Sequence, residues 1–138
     1  MPPAIDVKDL WTAGGILLGF QITAFSWRVA EESKVAGKGD IVWLPPADYV
    51  NLVAMLVTVI GVFVAPVFDL VSLRSIRALF GLGTLLFLGH AFALAGHYEL
   101  FSRGRKRSFV WWSGQEKVAM FIVGVVVVVY IWAVARAF

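Results

Sequence analysis

The sequence predicts an all-α membrane protein: four transmembrane helices in an antiparallel bundle, with short interfacial segments in connections one and three. Three observations carry this. The 138 residues are 60% hydrophobic, well above the roughly 45–50% of soluble domains, with a mean hydropathy of +0.84. Four runs, Leu10–Trp27, Tyr49–Phe68, Ala78–Tyr98 and Val118–Ala135, contain no Asp, Glu, Lys or Arg, and each is about as long as a bilayer is thick. A chain in lipid must bond its own backbone, and helices do so within one segment. With flanks included, the spans are expected at about 10–30, 48–68, 76–99 and 116–137, together forming one domain over 1–138. A separate soluble domain, which needs about 50 residues, has no room.

The first span follows Met1-Pro2-Pro3, which lacks the basic start of a cleaved leader, so it reads as a retained signal anchor. The second ends near Pro66, whose ring and missing N–H end or kink a helix. The connection to the third, about Asp69–Arg77, is short, so spans two and three are expected as a tight antiparallel hairpin. Connections one and three, about Arg28–Asp48 and Glu99–Lys117, are long and lie on one side. They carry Arg28, Lys34, Lys38, Arg103, Arg105, Lys106, Arg107 and Lys117, against Lys8, Arg74, Arg77 and Arg136 on the other. The positive-inside rule then places these connections in the cytoplasm and both termini outside, in a plasma (inner) membrane.

Trp11, Trp27, Trp43, Trp111 and Trp112 fall at span ends or in the connections, where indole rings favour headgroups. Arg103, Arg105, Lys106 and Arg107 next to Ser108-Phe109-Val110-Trp111-Trp112 read as an anionic-lipid contact. Ile41-Val42-Trp43-Leu44-Pro45-Pro46 reads as a second interfacial stretch. A protein-docking role for either stretch is the alternative. The charge of +3 sits mostly in one connection, so it marks a membrane flank, and no nucleic-acid partner is expected.

Within the spans, small and polar residues are the candidates. Gly15 and Gly19 form a GxxxG on span one, and Gly89, Ala93 and Gly96 lie on span three. Small residues let helices approach closely in lipid, so these five read as packing positions within the chain or, alternatively, between subunits. His90 and His97 lie on one face of span three, about 10 Å apart along the axis. Counted from the cytoplasmic ends, Gln21, Thr58 and His90 fall at one depth. The first expectation is a buried hydrogen-bonded network of Gln21, Thr58, His90 and His97 that cross-links helices; the alternative is a polar pathway for protons or ions.

No cofactor is expected; haem on His90 or His97 is the alternative, although two histidines on one face cannot both ligate one iron. There is no cysteine, which excludes disulfides, thiolate metal sites and cysteine nucleophiles. Glu31, Glu32, Asp48, Asn51, His97 and Glu99 at the cytoplasmic ends read as solvated flanks in salt bridges of little energy, or as the mouth of a pathway. No phosphate loop, HExxH or nucleophile elbow is present, so no catalytic residue is assigned. The functional expectation is a small multi-pass subunit that assembles with copies of itself, or with other membrane subunits and lipids. The alternatives are an oligomeric channel or transporter and a haem- or metal-bearing subunit.

Overall fold

The computed structural model describes residues 6–38, 43–102 and 111–137. Ile41 and Val42, and Arg103, Arg105, Lys106 and Arg107 with Ser108–Val110, lie outside the described residues, as do the interfacial and headgroup roles expected of them. Among the described residues every regular element is helical: α1 (Val7–Ala36), α2 (Pro46–Val67), α3 (Leu73–His97) and α4 (Gly114–Ala137). Three of them, α2, α3 and α4, are long and apolar enough to cross a membrane. Helix α1 is not in that set. Gly14, Gly15, Gly19, Gln21 and its hydroxyl residues dilute its apolar character. At about 45 Å it is also longer than a bilayer core is thick.

Local chemistry sets each boundary. Helix α1 starts at a reciprocal cap: Asp9 N–H donates to Asp6 Oδ1 (2.9 Å), and Asp6 N–H donates to Asp9 Oδ2 (3.3 Å). Ser72 caps α3 by accepting from Ser75 N–H. Helices α2 and α3 end alike, with Leu70 N–H on the Ala65 carbonyl and Asp69 N–H on Pro66, and with Leu100 N–H on Ala95 and Glu99 N–H on Gly96. This is the Schellman pattern, usually closed by a left-handed glycine. Here Asp69 (φ 53°) and Glu99 (φ 54°) take that conformation.

The middle of α2, Val57–Val64, is wound as a π-helix. Pro66, just past this stretch, has no N–H to donate into the preceding turn. The Val62 carbonyl accepts from the indole Nε1 of Trp11, at 2.8 Å. That bond ties this stretch of α2 to α1.

Consecutive helices make their contacts in opposite senses. The N-terminal part of α1 (Trp11) meets the C-terminal part of α2 (Val62), and Arg28 meets Asp48. Ala47 meets His90, and Tyr130 meets Ala78. Helix α3 is the hub and touches all three others. Its small residues make that close contact achievable. A Cβ on Gly83 would lie 2.6 Å from Thr58 Oγ1, one on Gly89 2.7 Å from Val123, and one on Gly96 2.9 Å from the Gln115 carbonyl oxygen. Helix α4 packs along α3 and meets α2 where Ala47, Ala93 and Ala119 cluster. Most of its apolar surface stays open, Phe121 and Val128 included.

Glycines 15 and 19 do not take the expected place inside the chain. Among the described residues, and apart from the adjoining backbone of α1 itself, nothing lies within 4 Å of a Cβ built on either one. The packing glycine of α1 is Gly14, 3.1 Å from Val62 by the same measure. One residue is about 100° of helical rotation, which carries the Gly15–Gly19 pair to the outer face.

Candidate functional site: a buried charge cluster where four helices meet

Helix α2 begins with Pro45 and Pro46 and has no side-chain cap of its own. Its exposed N–H groups and partial positive charge require an acceptor. Glu116 of α4 supplies it, accepting from Ala47 N–H at 2.8 Å through Oε1. Ser113 caps α4 by accepting from Glu116 N–H (3.1 Å), and its hydroxyl donates to the Gly96 carbonyl (2.8 Å). The spacing Ser113-x-x-Glu116 is that of a capping box, in which the glutamate normally folds back on its own helix. Here it reaches across to another. Its second oxygen accepts from His97 Nδ1 at 2.8 Å.

Next to this point Arg28 enters from α1. It is 1% exposed. Its Nε donates to Asp48 Oδ2 (3.1 Å) and its NH2 to Glu32 Oε1 (2.9 Å), and its NH1 donates to the Tyr98 hydroxyl. His90 Nδ1 donates to the Ala47 carbonyl (2.9 Å) and stands 3.9 Å from Asp48 Oδ1. The cluster therefore joins residues of α1, α2 and α4, together with the C-terminal end of α3, within hydrogen-bonding range.

Deeper along the α1–α2 seam the polarity continues. Asn51 Nδ2 donates to the Gln21 carbonyl (3.0 Å), and Gln21 Nε2 reaches Thr58 Oγ1 (3.3 Å) and the Gly83 carbonyl (3.5 Å). Thr58 donates back to Ala54. Beyond Thr58 the interior becomes apolar, at the Leu10–Val62–Ile76 cluster.

These positions correct parts of the sequence reading. Gln21 and Thr58 do meet, but His90 is not at their level. Gly83 faces Thr58, and His90 lies opposite Ala47, near the start of α2. Counting depth from the ends of the apolar runs misplaced it, because α3 extends past the point where α2 begins. Nor are Asp48 and Arg28 solvated flanks: both are buried, as is Glu116. Glu116 was not singled out at all, although its capping-box spacing after Ser113 was readable. Glu31 does keep to the outside, in an i,i+3 pair with Lys34.

Both histidines have Nδ1 engaged, His90 on the Ala47 carbonyl and His97 on Glu116. His90 is 3% exposed and stacks on Phe87, so packed protein surrounds the ring. Among the described residues no group of three or more His, Cys, Asp or Glu side chains could hold a metal ion. Comparison with protein-family models, curated proteins and solved structures finds no match to this chain.

Proposed function

We propose that this chain is a four-span integral membrane subunit that works by assembling, first with copies of itself, through outward small-residue faces in the bilayer. In this reading α1 crosses beside α2, α3 and α4 as an antiparallel bundle. The Arg28 end faces the cytoplasm, and the termini lie outside a plasma membrane. The one observation that carries it is the open position of Gly15 and Gly19. A GxxxG turned away from its own bundle is a surface on which a neighbouring helix can approach closely. Helix α4 adds support: Gly124 is likewise open, and Phe121, Val125, Val128 and Val129 face outward. Between α3 and α4 an open apolar groove of about 480 Å³ follows Phe80, Leu88, Phe92 and Val126.

Conduction by an oligomer is the second reading, and the Gln21–Thr58 contact favours it. Within one protomer, however, the polar seam stops at the Leu10–Val62–Ile76 cluster, so any path would need further protomers.

Mass measurement in mild detergent, with an absorbance scan, tests the assembly reading. The wild type should run as an oligomer. Gly15→Leu should weaken association roughly tenfold or more, about 1.4 kcal/mol, with little change in thermal stability, because no neighbour of the same chain is crowded. A monomeric wild type overturns it.

A further inference from the structure

Helices α3 and α4 are both long and apolar enough to cross a membrane. The groove between them, about 480 Å³, follows α3 from Phe80 to Phe92 and α4 from Ile122 to Val126. Phe80 and Phe92 are twelve residues apart, a rise of about 18 Å. One leaflet of hydrocarbon is about 15 Å deep, so the groove has the length of an acyl chain in one half of a bilayer. Its rims are exposed, with Leu88 and Phe92 on one side and Ile122 and Val126 on the other.

Two cations stand beyond its Phe80 end. There the Tyr130 hydroxyl donates to the Ala78 carbonyl and lies against Gly81, which sets the register of the two helices. Arg77 precedes Gly81 by four residues, one turn along the same face of α3. On α4 the row of Ile122 and Val126 continues at spacings of three and four through Val129 and Ala133 to Arg136. Both arginines are exposed. Side chains lean toward the N-terminus of their own helix, so in this antiparallel pair Arg77 leans outward and Arg136 leans back. The guanidinium of Arg136 accordingly lies 4.0 Å over the Trp132 ring, one turn earlier. The two therefore approach one level, on helices whose axes pack about 8–10 Å apart. No acidic side chain occurs in 73–81 or 129–137.

We propose that this groove holds one acyl chain of an anionic phospholipid, with its phosphate between Arg77 and Arg136. Guanidinium groups grip phosphate through paired N–H donors. Each has five such donors, so the site needs no arginine stripped of its other contacts. Trp132 places an indole beside them, as suits the headgroup region. A second copy of the chain fits this face less well, because a twofold contact would set the same arginines against each other. Assembly through the Gly15–Gly19 face of α1 uses a different surface. The lipid site thus stands whether the protein is a monomer or an oligomer.

The test is lipid retention by the detergent-solubilised full chain, read by native mass spectrometry with dioleoyl phosphatidylglycerol and dioleoyl phosphatidylcholine. The wild type should keep one phosphatidylglycerol per chain, preferred roughly tenfold over phosphatidylcholine. Arg77→Gln combined with Arg136→Gln should remove most of that preference. Thr84→Phe fills the groove without touching a charge, and should lower retention of both lipids. A phosphatidylglycerol with a photoreactive diazirine on one chain should label 80–92 and 122–126 in the wild type, without any variant. Equal retention of the two lipids by the wild type overturns the proposal, as does an undiminished preference in the double arginine variant. So does label spread as heavily over α1 and α2, or a Thr84→Phe protein that loses its oligomer and keeps its lipid, which gives the groove to a second copy.

Discussion

At the Arg28 end, α1, α2 and α4 and the C-terminus of α3 are tied by buried charge; at the opposite end Leu10, Val62 and Ile76 pack with Phe63 and Phe80. The polar end relies on partners that must all be present. Arg28, Asp48 and Glu116 are each buried, and a buried charge is tolerable only while paired and hydrogen-bonded. The apolar end relies on contacts that lose strength gradually as atoms are removed. Its directed bonds between helices include Trp11 Nε1 to the Val62 carbonyl and the Tyr130 hydroxyl to the Ala78 carbonyl. Each satisfies a carbonyl of a neighbouring helix. What the difference teaches is a division of labour: the polar end specifies which helices meet and in what register, and the apolar end adds area.

The largest expected effect is at the polar end. Arg28→Leu leaves Asp48 charged and unpaired in the interior and should cost about 3–5 kcal/mol, read as the midpoint of denaturation in detergent. Adding Asp48→Leu to that variant should recover part of the loss, because the stranded charge goes with it. If Arg28→Leu unfolds like the wild type, the cluster is solvated and the contrast between the two ends fails. Trp11→Phe, at the apolar end, keeps most of the ring's packing and removes one bond. It should cost about 1–2 kcal/mol, because Val62, four residues before Pro66, loses its indole donor. A cost equal to that of Arg28→Leu would erase the distinction. The smallest effect is at the C-terminus of α3, where Glu99 holds a left-handed conformation. Glu99→Gly should stabilise by up to about 1 kcal/mol, seen as a small rise in Tm.

The helices were legible because their signal is local. Charge-free runs of bilayer length and the short connection after Pro66 correspond to α2, α3 and α4 within a few residues. The Gln21–Thr58 contact was legible too, since two polar residues in apolar helices tend to find each other. His90 was misplaced because depth along a helix fixes no register between helices. Gly15 and Gly19 were read as inward because a motif gives spacing but not the azimuth of its helix; Gly14, one position away, holds the contact with Val62.

By itself the sequence predicted a helical chain of four spans, and the three helices long and apolar enough to cross a membrane, α2, α3 and α4, follow from it because backbone satisfaction and apolar length are properties of each segment alone. Only the tertiary structure decided that Glu116 caps α2, that Arg28 and Asp48 are interior, and that among the described residues the buried oxygens Gln21 Oε1, Asp48 Oδ1 and Asn51 Oδ1 are left without partners. Those outcomes depend on which residues of separate helices arrive at one point, and a flanking charge carries no mark in the sequence of whether it will face water or another helix.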